Sequence, residues 1–188
     1  MFVVLATLAL AAPELPAAAP ACVVMMGDRM PLDRRQSRLD SVSTTVGGKT
    51  VKICYSRPAL RGRKMIGSEN VPYGKLWRTG ANEPTMLHTE VPLVVAGIKV
   101  APGSYSLYTV PGEKEWEVIV NRSITQWGHE SAYTDKVKAM EVGRGKAPAE
   151  ALTAPVELLT FRLEGDAKKG TIVLEWDTAR VRIPYSAS

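Results

Sequence analysis

Beyond Leu39 the chain never runs far without a glycine or a proline, and between these breaks short apolar segments alternate with polar residues at period two. In SYSLYTV, Tyr105, Leu107 and Thr109 fall on one side and Ser106, Tyr108 and Val110 on the other. WEVIVN groups Trp116, Val118 and Val120, and TIVLEWD groups Ile172, Leu174 and Trp176. Successive side chains leave a strand on opposite faces, so this alternation marks half-buried antiparallel strands. No segment keeps the apolar spacing of an amphipathic helix. Gly47-Gly48 and PGEKE sit between alternating runs and read as hairpin turns. The expectation is an all-β fold, an antiparallel two-sheet sandwich or jelly-roll-like barrel of about ten short strands with at most one or two helical turns. LWRTG and KVKAMEV are read as strands, LVVAG as a strand turning through Ile98-Lys99, and residues 148–154 as the place for a helical turn.

The length of 188 residues suits one domain with a tail, and 45% apolar residues suffice for a core. A chain of roughly 150 residues buries about 68–70% of its unfolded surface and needs no disulfide to fold. The start, MFVVLATLALAAP, is shorter than the roughly 20 apolar residues of a membrane-spanning helix. With the Ala-rich LPAAAPAC behind it, it resembles a signal peptide. No Lys or Arg precedes Arg29, so the usual positive start is missing and either the signal or the assigned first residue is atypical. The reading divides the chain into a signal-like segment 1–22, a polar basic linker 23–38 and a single β domain 39–185. It implies an exported protein, periplasmic or secreted. APAC before Cys22 offers a lipoprotein site as the alternative, with Ala in place of the usual Leu. Cys22 and Cys54 are the only cysteines. If processing removes or lipidates Cys22, Cys54 is a buried, inert thiol in the strand TVKICYS. Neither a zinc ribbon nor a redox CxxC is present.

The formal charge is +5, and most of the excess is local. Between residues 56 and 85, Arg57, Arg61, Arg63, Lys64, Lys75 and Arg78 face only Glu69 and Glu83. Positive charge concentrated this way attracts anions or forms internal ion pairs. The basic residues are not interleaved with aromatics as in nucleic-acid-binding motifs, so no nucleic-acid partner is expected. The same region holds LWRTGANEPT. Arg forks take carboxylate or phosphate, Asn supplies donor and acceptor, and Trp or Tyr offers a flat wall. The candidate ligand-binding set is therefore Arg57, Arg63, Tyr73, Trp77, Arg78, Asn82 and Glu83, for a small anionic or polar ligand. The competing reading is an Arg78–Glu83 bridge that pins the loop, with Asn82 bonding the turn. His88 and His129 show no metal-ligand spacing, and no GxSxG, HExxH or phosphate-cradling loop appears, so no metal and no cofactor are expected. Glu83 lacks a second catalytic group, which places a hydrolase or isomerase last and tilts the reading away from an enzyme.

YSRPALRGRKMIG, VPYGKLWRTGANEPT, APGSYSLYTVPGEKEWEVIVN and VLEWDTARVRIP together resemble the bacterial family called domain of unknown function 2911. The likeness covers about residues 39–185. It implies an exported, single-domain β protein and no activity. It also implies that Arg57, Pro58, Gly62, Arg63, Trp77, Arg78, Gly80, Ala81, Asn82, Glu83 and Thr85 belong to the shared pattern. Met65-Ile66-Gly67 departs from it where an aromatic is expected. Two readings follow: a binding module for a small anionic or polar ligand at an Arg/Asn/Glu pocket, or a structural or interaction protein of the cell envelope in which that motif is scaffold.

Overall fold

The computed structural model describes residues 20–25 and 30–188; residues 1–19, and with them most of the signal-like segment, lie outside the described residues. β1 (Arg38–Val46) and β2 (Lys49–Arg57) form a hairpin around Gly47-Gly48, whose φ values are 57° and 77°. A two-residue turn with both φ positive matches the twist of the flanking strands, and glycine adopts it without strain. A long connection leads to β3 (Thr85–Thr89). β4 (Leu93–Val95) and β5 (Ile98–Val100) form a second hairpin, β6 (Gly103–Val110) and β7 (Glu115–Asn121) a third, and β8 (Glu141–Gly165) and β9 (Lys169–Ala187) a long fourth.

Among the described residues the strands all pair antiparallel, in the order β1-β2-β3-β6-β7-β8-β9-β4-β5. The all-β antiparallel class is the one the alternation implied. The nine strands belong to one hydrogen-bonded sheet because β8 serves two neighbours. Its start, 141–148, pairs with β7, and its remainder, from Ala149 to Gly165, pairs with β9. The sheet folds back on itself at the far end of β2. There Leu60 N donates to Glu157 O (2.9 Å), Leu159 N to Pro58 O (3.0 Å) and Phe161 N to the Tyr55 hydroxyl (3.2 Å). One apolar core results, to which all of β1–β9 contribute. At its centre Trp77 lies nearly parallel to Trp176, centroids 5.6 Å apart, and edge-on to Trp116 at 5.9 Å. Each such pair adds about 0.5–1.5 kcal/mol beyond the area it buries.

Four local expectations are corrected. LWRTG is not a strand: Trp77 exchanges two backbone bonds with Thr109, at 2.8 and 2.9 Å, and pairs no further. KVKAMEV splits between one helical turn, α1 (Asp135–Lys138), and the start of β8. Residues 148–154 belong to β8 rather than to a helical turn: Pro148 pairs with β7 and Ala149–Ala151 with β9, and this pairing overrides local preference. The β4–β5 turn is at Ala96-Gly97, and Ile98 and Lys99 are strand residues.

The centre of the sheet is covered on both faces. Cys54, Met86, Tyr108 and Ile119 are buried yet stand apart from the main core. Two irregular segments cover them. Loop 122–140 is tied down by Ser106 Oγ donating to Ser123 O (2.7 Å), Gln126 Nε2 to the Tyr108 hydroxyl (3.1 Å) and Asn121 Nδ2 to Val137 O (2.7 Å). The N-terminal segment is tied by a Cys22–Cys54 disulfide. The expectation of a free Cys54 thiol is thus overturned: the chain ahead of the domain returns to β2 and brings Cys22 against it. A sulfur bonded this way has no free valence for a lipid.

On the outer side of β8 and β9, Glu175 is nearly buried between Arg162 (2.6 Å) and Arg180. The Arg162 and Arg180 hydrogen bonds hold its carboxyl down at about 2, against an ordinary value near 4.5. A carboxylate whose folded pKa is depressed stabilises the fold above its unfolded pKa, and that stabilisation disappears as pH falls through the folded value. Melting temperature should therefore drop between pH 4.5 and pH 2. The drop should be shallower in Glu175→Gln, as calorimetric scans across that window will show.

Candidate functional site

The GANE turn is built on strained backbone. Thr79 and Asn82 have φ of 61° and 58°. For a β-branched residue this is a true outlier, and left-handed backbone costs roughly 1–2 kcal/mol per residue. Neighbours hold Thr79 in place. Its hydroxyl meets Trp77 O (3.3 Å) and Thr109 Oγ1 (3.1 Å), and its carbonyl accepts from Thr85 Oγ1 (2.8 Å). The turn thereby points Asn82 and Glu83 at the N-terminal segment.

Glu83 does not meet Arg78. Arg35, in the segment read from sequence as a linker, donates through one nitrogen to both Glu83 oxygens, at 2.9 and 2.7 Å. Its other guanidinium groups donate to Met30 O (2.9 Å) and Met25 O (2.7 Å). Met25 N completes the carboxylate's shell at 2.6 Å. The side chains of Arg35 and Glu83 are 0% and 6% exposed. Asn82 Nδ2 donates to Ser37 O (3.0 Å) and Ser56 Oγ (3.1 Å), and its carbonyl accepts from Gly128 N (3.1 Å). One short turn thus clasps the N-terminal segment, β2 and loop 122–140.

The other candidate residues disperse. Arg57 donates to Leu159 O (3.0 Å), Thr160 Oγ1 (3.0 Å) and Asp40 (3.2 Å), which tie β2 to β8 and β1. Arg63 bends back onto Leu60 O and Ala59 O, at 3.0 and 3.1 Å. Tyr73 is exposed and lays its ring over Gly67. Trp77 is core. Arg78 makes a single side-chain bond, 3.3 Å to Gly80 O, which leaves most of its donors unengaged. The structure therefore joins Asn82 and Glu83, and does not bring Arg57, Arg63 and Arg78 to one pocket. The expected Arg78–Glu83 bridge is replaced by Arg35–Glu83.

Sequence reasoning missed four residues of this assembly. Arg35 and Cys22 lie ahead of the domain, where nothing local marks them as buried. Asp177 accepts from Met65 N (2.7 Å) and Ile66 N (3.0 Å) and so anchors the Arg-rich loop on β9. Its place in the shared EWDT block was the available signal. Gly128 packs so closely on the turn that a Cβ there would lie 2.2 Å from Asn82 O. Trp127-Gly128 in a polar loop hinted at such a contact.

Other titratable groups serve packing. Burial pushes Tyr108 up to about 12, and burial together with its bond to Glu141 (2.7 Å) raises Tyr133. Burial lowers His88, which pairs with Ser104 Oγ (3.0 Å), and His129 bonds Ser131 in its own turn. Among the described residues no three His, Cys, Asp or Glu side chains gather as metal ligands would.

The model of a family described as "Protein of unknown function (DUF2911)" matches residues 37–185, most of the chain. No curated protein and no solved structure matches.

Two substitutions test the clasp. Gly128→Ala should lower the melting temperature and speed amide exchange in residues 122–140, while β9 amides in the core stay protected; mass-resolved hydrogen exchange distinguishes the two. Replacing both cysteines by serine should cost about 2–4 kcal/mol in denaturant unfolding, the usual range for a disulfide.

Proposed function

The chain belongs to this family of unknown function, DUF2911, and on that premise we propose that it is an exported structural or interaction domain of the cell envelope whose Arg/Asn/Glu motif is internal scaffold. One observation carries this reading. Both Glu83 oxygens are taken by Arg35 and Met25, deep inside the protein, so the motif's carboxylate has no face left for a substrate. The same closure disfavours a hydrolase or isomerase using Glu83, since an acid–base group must reach the proton it moves. Arg57 and Asn82 are likewise engaged by protein atoms. The disulfide supports export, because such bonds persist in oxidising compartments. Among the described residues no helix is long and apolar enough to cross a membrane. Signal cleavage upstream of Cys22 would retain it for its bond. Expressed with its own leader, the chain should be recovered outside the cytoplasm with Cys22 oxidised and with a new N-terminus upstream of that residue. Intact-mass analysis before and after reduction reads both; a reduced, uncleaved cytosolic chain would count against the proposal.

The binding-module reading keeps one foothold, the unengaged donors of Arg78. A guanidinium with free N–H groups takes carboxylate or phosphate bidentately. Thermal-shift measurement against acetate, citrate and phosphate separates the two readings. The scaffold reading predicts no stabilisation that Arg78→Ala abolishes, and a shift lost in that variant would favour ligand binding instead.

A further inference from the structure

Beside the clasp, and independent of it, a cleft of about 370 Å³ opens between loop 69–76 and the turn Glu130–Ala132 with Tyr133. Small-molecule sites occupy about 300–1,000 Å³ and combine apolar walls with a few convergent polar groups. Both walls are rigid. On one side Gly67 N bonds Val71 O (2.9 Å), Gly74 N bonds Pro111 O (2.8 Å), and Trp77 is fixed in the indole cluster. On the other, Tyr133 is held by its Glu141 bond and by its ring, edge-on to Tyr108 at 4.6 Å.

The polar lining is unengaged. Among the described residues Glu69, Lys75 and Glu130 make no side-chain hydrogen bond or ion pair, and Asn70 leaves its amide oxygen free. A larger groove of about 590 Å³ at the β8–β9 turn lacks this property. There Glu164 is paired with Arg162 and Arg182, and Asp166 accepts from Lys168 N and Lys169 N. Two carboxylates disfavour an anion in the smaller cleft, and Lys75 disfavours an ammonium group. Carboxylates and an amide oxygen accept strongly from hydroxyl groups, while the Tyr133 ring, Pro72 and Leu76 offer apolar surface to C–H groups.

We propose that this cleft binds a small neutral hydroxylated ligand of the sugar class, with Glu69, Asn70 and Glu130 accepting its hydroxyl protons. Glucose, galactose, N-acetylglucosamine, maltose, lactose and chitobiose are titrated into the purified chain, followed by tryptophan fluorescence and by amide NMR shifts. At least one should saturate, with shifts centred on residues 69–77 and 130–133. Glu69→Gln and Glu130→Gln should each weaken it about tenfold, or about 1.4 kcal/mol. Both variants should melt like the parent, because neither carboxylate bonds to protein. Absence of saturation by every sugar overturns the proposal, as does equal affinity in the two variants. Binding of putrescine in place of the sugars, weakened by salt, also overturns it, in favour of a cation site. None of these outcomes involves Arg35 or Glu83, so the scaffold reading stands or falls separately.

Discussion

The arrangement of this protein depends on a buried ion pair between Arg35 and Glu83. Two charges leave water to form it, and each loses several kcal/mol of solvation that only good geometry recovers. Here the recovery is nearly complete. The carboxylate accepts three hydrogen bonds, two from one Arg35 nitrogen and one from Met25 N, and the guanidinium donates to two backbone carbonyls besides Glu83. Such a pair has one satisfactory geometry, and it is reached only when Met25, Met30 and Arg35 lie against the GANE turn. The pair contributes more to where the N-terminal segment goes than to total stability.

From that position the rest of the cover follows. The segment lies across the face of β2 and β3, where Cys22 reaches Cys54 and Ser37 O reaches Asn82. Asn82 in turn holds loop 122–140 through Gly128. The sheet therefore has two apolar sides with different closures: its other half folds over one, and irregular chain covers the other. A polar motif in a β protein is readily taken for a ligand pocket. In this molecule most of its polarity serves backbone that no strand ladder can satisfy, because buried N–H and C=O groups require partners wherever they occur.

The strand class was legible because period-two alternation is a local signal: Tyr105 and Leu107, Trp116 and Val118, and Ile172 and Leu174 all reach the core as their spacing required. The Gly47-Gly48 turn was legible for the same reason. The partners of the motif were not. Arg34 and Arg35 are adjacent and chemically identical, yet Arg34 is exposed and Arg35 buried. Only the fold distinguishes them, since Glu83 lies 48 residues away. Cys22 was hidden by its neighbourhood, an Ala-rich stretch that reads as a cleavage zone. LWRTG reads as a strand by composition, but the left-handed Thr79 ends any ladder there.

A double-mutant cycle on Arg35 and Glu83, measured by denaturant unfolding, tests the clasp most directly. Arg35→Met and Glu83→Leu should each cost about 3–5 kcal/mol, because each strands a buried charge, whereas the double variant should cost less than either alone. Additive losses would mean that the two side chains do not depend on each other, and would contradict this account of the motif.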